Sequence, residues 1–207
     1  MSGPLSPYFG ILRRPSGTAL ALAEENRGQI QSAVNFCLLA FLIPMPTLVQ
    51  VDEAGFSLNL SLVPQLLILS LAGGALFCVL MSWLFRNFSR MLGGKATIRE
   101  IRIGMGWGLL PSVISIAVFV LFWCIFLHFA YEPAPQGMEP NVRYMSLVGP
   151  FLFVFVVCMM YSTGVLLLAL SGVARLSLMK AFFALVITLA VSVFPLTFVL
   201  QLVMGVN

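Results

Sequence analysis

Arg86, Arg90, Lys95, Arg99 and Arg102 stand together between two long apolar runs, and they are five of the chain's eleven basic residues. Guanidinium and ammonium groups at that density can hold anions, either phosphate oxygens of lipid headgroups or carboxylates of a protein. Arg99 and Arg102 are three apart, so on a helical turn they share a face. Near an anionic surface each such cation contributes about 1 kcal/mol of attraction. The residues that would contact a lipid or a partner are Arg90, Lys95, Arg99 and Arg102. Two other readings of the same charges stand beside this one. They are solvated determinants of membrane topology, or a docking surface for a cytoplasmic protein.

Other chemistry finds little material. His128 is the only histidine, near the end of an apolar run. A serine nucleophile needs a base and an orienting group, and no such set is in sight. There is no HExxH pattern and no paired acidic site. Gly93 to Thr97, GGKAT, invites comparison with a phosphate-binding loop. It lacks the earlier glycine, and Lys95 is followed by Ala96 rather than Ser or Thr. Cys37, Cys78, Cys124 and Cys158 are scattered one to an apolar run, without metal-ligand spacing. The expectation is no catalytic residue, no metal, no cofactor and no enzyme.

The elements that must position the basic stretch are membrane spans. The chain has 207 residues, of which 60% are hydrophobic and 9% charged. Soluble domains carry roughly 25% charged residues. A mean hydropathy of +1.05 is that of a chain whose solvent is mostly lipid. The net charge of +4 does not point to nucleic acid, because the cations lie at the ends of apolar runs. The fold expected is an all-α integral membrane protein with five transmembrane helices and a short N-terminal interfacial helix. Residues 1–31 form a cytoplasmic or interfacial segment, irregular to about Pro15, with a helix capped by Ser16 and starting near Gly17. That segment is not read as a cleaved signal, since Glu24 and Glu25 precede the first apolar run. Residues 32–204 form the membrane domain, with spans at about 32–51, 62–85, 103–130, 145–170 and 178–204.

Within the spans, Pro44 should kink or end the first, Pro111 should bend the third, and Pro195 should break the fifth. Gly73, Gly74, Gly104, Gly108 and Gly164 are the candidates for close helix packing, because small residues let backbones approach where hydrophobicity cannot pair helices. Asn35, Gln65, Ser70, Ser112, Ser115, Ser162, Thr163, Ser192, Thr197 and Gln201 read as makers of interhelical hydrogen bonds, or alternatively as a polar pathway. Charge sets the orientation. Arg13, Arg14, Arg27, the central five, Arg175 and Lys180 fall on one side; Arg143 falls alone on the other, with Asp52, Glu53, Glu132 and Glu139. By the positive-inside rule the N-terminus is cytoplasmic and the C-terminus outside.

The basic Gly93-Gly94-Lys95 loop, followed by Gly106, Trp107 and Pro111 at the start of the third span, resembles the Yip1 domain family. The turn LSLMKA, Leu176 to Ala181, after a span that carries Gly164 is similar too. The resemblance runs from about Pro15 to Val203. It implies five spans with a cytoplasmic amino end. Eukaryotic relatives are Golgi and ER proteins that bind Rab GTPases, and they carry a longer acidic amino segment. Here that segment is short, basic and rich in proline, as in compact bacterial members, which implies the bacterial cytoplasmic (inner) membrane. The family's Gly and Pro positions read as backbone geometry, and no functional residue is carried over.

The function expected is association without catalysis, as a subunit, a scaffold or an organiser of the membrane. The partners would be the lipid bilayer, anionic lipid headgroups, and a membrane or cytoplasmic protein or a second copy of the chain. The alternative is a transporter or channel component for a small or lipidic solute. An enzyme acting on lipid is a third reading. Apart from Lys180 and His128, near the ends of theirs, no Asp, Glu, Lys, Arg or His falls inside the five expected spans, which argues against ion-coupled transport.

Overall fold

The computed structural model describes residues 6–25, 28–52, 55–130 and 142–204. Helices α1 (Ser6–Arg13) and α2 (Pro15–Glu24) precede α3 (Gln29–Leu42). A 3-10 turn, Met45–Leu48, leads into an antiparallel ribbon of β1 (Val49–Asp52) and β2 (Gly55–Leu58). Val49 pairs with Leu58 and Asp52 with Gly55. Then come α4 (Val63–Met91), α5 (Ile98–Gly108), α6 (Leu110–Ala130), α7 (Val142–Ala174) and α8 (Leu178–Met204). The proline-rich loop with Glu132 and Glu139 lies outside the described residues, as do Arg27, Glu53, the chain's last three residues and the side chains of His128, Arg143, Thr197 and Gln201.

Three helical stretches are long and apolar enough to cross a bilayer: Leu60–Met91, Ile98–Leu127 and Val148–Ala174. Gln29–Leu42 is apolar but shorter, as is the part of α8 whose side chains are described, Leu178–Ser192. Among the described residues the structure is therefore helical apart from one ribbon, with the apolar helices of a membrane protein.

Several boundaries differ from those expected, each for a local reason. Residues 1–15 are not irregular throughout, because α1 forms over Ser6–Arg13. Pro7 sits in its first turn, where the missing N–H had no partner to lose. Pro15 opens α2 in the same way, and its N-cap, Arg14, makes no side-chain cap bond. The first apolar helix stops at Leu42, well short of position 51. Pro44 has no N–H to offer the Ala40 carbonyl one turn back. Ser70 Oγ, on α4, donates to that carbonyl at 3.3 Å instead.

The third apolar run begins earlier than position 103, at Ile98, and divides at Leu109 into α5 and α6. Pro111 accounts for the division by withholding an N–H from the last turn of α5. By contrast α7 runs on through Pro150, and α8 continues past Pro195, where a break was expected. Membrane helices tolerate such prolines when neighbours satisfy the freed carbonyls.

The core gathers around α5. Ile101, Ile103, Met105 and Trp107 are buried, together with Phe85 of α4 and Leu170 and Val173 of α7. α1 and α2 add Ile11, Ala19 and Leu22 to the same cluster. Further along, α6 and α7 are joined by stacked rings: Phe122 lies on Phe151 with centroids 3.5 Å apart, and Phe119 lies 4.3 Å from Phe155.

Candidate functional site

The basic end is built by two helix terminations and the start of a third helix. α4 ends in a Schellman motif: Gly94 N–H donates to Ser89 C=O at 2.8 Å and Gly93 N–H to Arg90 C=O at 3.0 Å. Gly93 takes φ +94°, the left-handed region that glycine enters without steric cost. Gly94 serves a different need, since a Cβ there would stand 2.9 Å from Ser89 O. α7 ends the same way, with Leu176 N–H to Ser171 C=O at 3.0 Å and Arg175 N–H to Gly172 C=O at 3.2 Å. There the left-handed position is filled by Arg175, at φ 54°.

These two ends meet. Lys95 N–H donates to Ala174 C=O at 3.4 Å, and Lys180 Nζ to Leu92 C=O at 3.1 Å. Arg175 reaches Glu24 of α2 at 3.4 Å. α5 then starts from a capping box: Thr97 Oγ1 accepts from Glu100 N–H at 3.3 Å, while Thr97 N–H donates to Glu100 Oε2 at 2.6 Å. Acidic Glu100 in the first turn also complements the helix dipole. Residues 92–97 and 175–177 thus form one end of the bundle, with Arg90, Lys95, Arg99, Arg175 and Lys180 exposed on it.

Arg102 is placed differently from the other three candidates. It is half-buried, on a helix whose flanking residues are buried, and it lies within electrostatic reach of Cys78 on α4. Arg86 is half-buried too. The Nε of each is enclosed and has no hydrogen-bond partner among the described residues. Arg99, Glu100 and Arg102 all lie in the first turns of the long helical stretch Ile98–Leu127.

Beneath this end a polar seam joins α1, α3 and α5. Tyr8 Oη donates to Gln31 Oε1 at 3.2 Å, Gln31 Nε2 to Asn35 Oδ1 at 3.1 Å, and Asn35 Nδ2 to Gly106 C=O at 2.8 Å. Ser32 Oγ donates to Ile103 C=O at 3.4 Å. Gly106 lies in the last turn of α5, where carbonyls lose their intrahelical partners. Asn35 supplies a donor at the place where the helix divides. Tyr8 also packs on Trp107, with ring centroids 5.0 Å apart. Trp107 Nε1 faces Gly28, whose φ is +86°, and has no acceptor among the described residues.

The five candidate packing glycines separate into two groups. A Cβ on Gly74 would stand 2.8 Å from the Cα of Cys37, one on Gly104 3.0 Å from Val173, and one on Gly108 2.9 Å from Leu166. Gly73 and Gly164 face open space. Further close approaches, outside those five, are Gly10 against Thr18, Gly28 against Trp107, Gly106 against Ser32 and Gly172 against Ser16.

Among the polar residues of the spans, Asn35 and Ser70 bond across helices. Ser115, Ser162, Thr163 and Ser192 instead donate to carbonyls three or four residues back on their own helix. On the outside of α3 and α4 lies an apolar groove of about 480 Å³, lined by Ile30, Ala33, Cys37, Phe41, Leu67 and Leu71 among others.

The capping box is legible in the sequence as Thr97-x-x-Glu100. Nothing in the sequence separates Arg86 and Arg102 from their solvated neighbours, because burial depends on α3 and α5 closing over α4. The Yip1 domain family model matches residues 9–200. Comparison with curated proteins and with solved structures finds no match.

Proposed function

The chain belongs to the Yip1 domain family, and from that premise we propose that it is a non-catalytic inner-membrane protein of bacterial type that works by association. The proposed topology has five crossings, a cytoplasmic amino end and an outer carboxyl end, with residues 1–31 folded on a membrane domain of residues 32–204. α3 makes the first crossing together with the 3-10 turn that follows it. At ~1.5 and ~2.0 Å per residue the two together approach the ~30 Å hydrocarbon core.

The observation that carries this reading is the basic end. Residues 92–97 and 175–177 are tied by backbone and side-chain bonds, and the cations they and their helices carry point outward. A partner protein, or a second copy of the chain, would dock there through Arg90, Lys95 and Arg99, while Gly74, Gly104 and Gly108 hold the helices that present them.

Crosslinking and pull-down from native membranes tests this. The triple reversal Arg90→Glu, Lys95→Glu, Arg99→Glu should lose the proteins captured by the wild type, at equal expression and unchanged topology. An unchanged set of captured proteins rules out docking at this end.

A further inference from the structure

We propose that Arg86 and Arg102 hold the phosphate of an anionic phospholipid, with one acyl chain of that lipid in the groove between α3 and α4. The proposal rests on the membrane reading above but not on protein docking. Its first support is the pair of buried Nε groups without acceptors. A charged donor shut away from water and left unbonded is costly, and an anion supplies what is missing. Arg90, Lys95 and Arg99 are exposed and carry no such demand.

The second support is position. Arg86 lies shortly before the end of α4 at Met91, and Arg102 shortly after the start of α5 at Ile98. At ~1.5 Å per residue both stand about 6–8 Å from the loop that joins the two helices. Both lie near the cytoplasmic ends proposed for their helices, toward the depth where a headgroup phosphate meets the hydrocarbon. Basic pockets between membrane helices on the cytoplasmic side take headgroups in this way.

The groove begins near the depth of Arg102. Ser32 bonds to Ile103 C=O and Asn35 to Gly106 C=O, so α3 and α5 run in parallel register and Ile30 lies beside the level of Arg102. From Ile30 to Phe41 the groove follows α3 for about 16 Å, close to half of a ~30 Å core, which is one leaflet.

The test uses the full chain purified in detergent, with native mass spectrometry of retained lipid and thermal unfolding. Micelles are doped with dioleoyl phosphatidylglycerol or dioleoyl phosphatidylcholine, and a third arm receives inorganic phosphate alone. Wild type should retain phosphatidylglycerol over phosphatidylcholine by about tenfold, a ratio that corresponds to ~1.4 kcal/mol. Phosphate alone should leave the unfolding temperature unchanged. The double variant Arg86→Gln, Arg102→Gln should lose the preference, and Arg90→Gln, Lys95→Gln should keep it. Ala33→Trp, which fills the groove, should reduce retention of both lipids. Equal retention of the two lipids by wild type overturns the proposal, as does stabilisation by phosphate equal to that by phosphatidylglycerol. If the double arginine variant does not fold, the wild-type arms and Ala33→Trp decide. Lipid preference intact with no protein captured in the pull-down would sink docking alone.

Discussion

At the scale of single residues, the most informative side chains are those that stand in for a missing backbone partner. Ser70 supplies the donor that Pro44 cannot, and Asn35 does the same where α5 gives way to α6. Replacing Asn35 by Leu leaves a buried carbonyl unpaired and should lower stability by about 1–3 kcal/mol, read as thermal unfolding in detergent. Ser70→Ala should cost less, roughly 0.6–2 kcal/mol, the range of interhelical bonds in membranes. Arg175 presents the opposite case, a side chain where a glycine would fit. Its left-handed backbone costs about 1–2 kcal/mol, while its exposed ion pair with Glu24 returns at most about 1 kcal/mol. Arg175→Gly should therefore leave stability unchanged or raise it slightly, and Arg175→Val should lower it. A Val variant as stable as wild type would mean that the turn is not held in this conformation.

At the scale of elements, terminations decide where each helix points. The Gly93-Gly94 pair was legible as a turn, and the structure divides its work between a left-handed backbone and a close approach to Ser89. Gly93→Ala should destabilise by about 1 kcal/mol through backbone strain alone. The α5 capping box makes a separable prediction. Thr97→Ala should cost about 1 kcal/mol, and Thr97→Ser should restore most of it because the hydroxyl is what accepts the Glu100 N–H. Equal losses for Ala and Ser would assign the effect to packing of the threonine methyl. The prolines show how far such reasoning reaches. Pro44 follows the end of α3, as expected, and Pro111, expected to bend its span, stands where that span divides into α5 and α6, whereas α7 and α8 run through Pro150 and Pro195. A proline's effect depends on what surrounds it, and neighbouring helices are not written in the local sequence.

At the scale of the whole molecule, the proposed topology is open to direct labelling. With native cysteines replaced, Lys95→Cys should react with an impermeant maleimide only after the membrane is permeabilised from outside. Asn207→Cys should react in intact cells. Reaction of both under one condition would overturn an odd number of crossings. The sequence alone determined the class of solvent, the apolar runs and the gathering of cations between them, because these follow from composition and from side-chain order. Hydropathy needs no neighbour to be read. Tertiary structure decided which of those cations are solvated and which are enclosed, which glycines touch a backbone, and that α1 and α2 join the core. Those outcomes depend on which helices lie against one another, and in lipid that choice is made by close packing and hydrogen bonding between segments far apart in the chain.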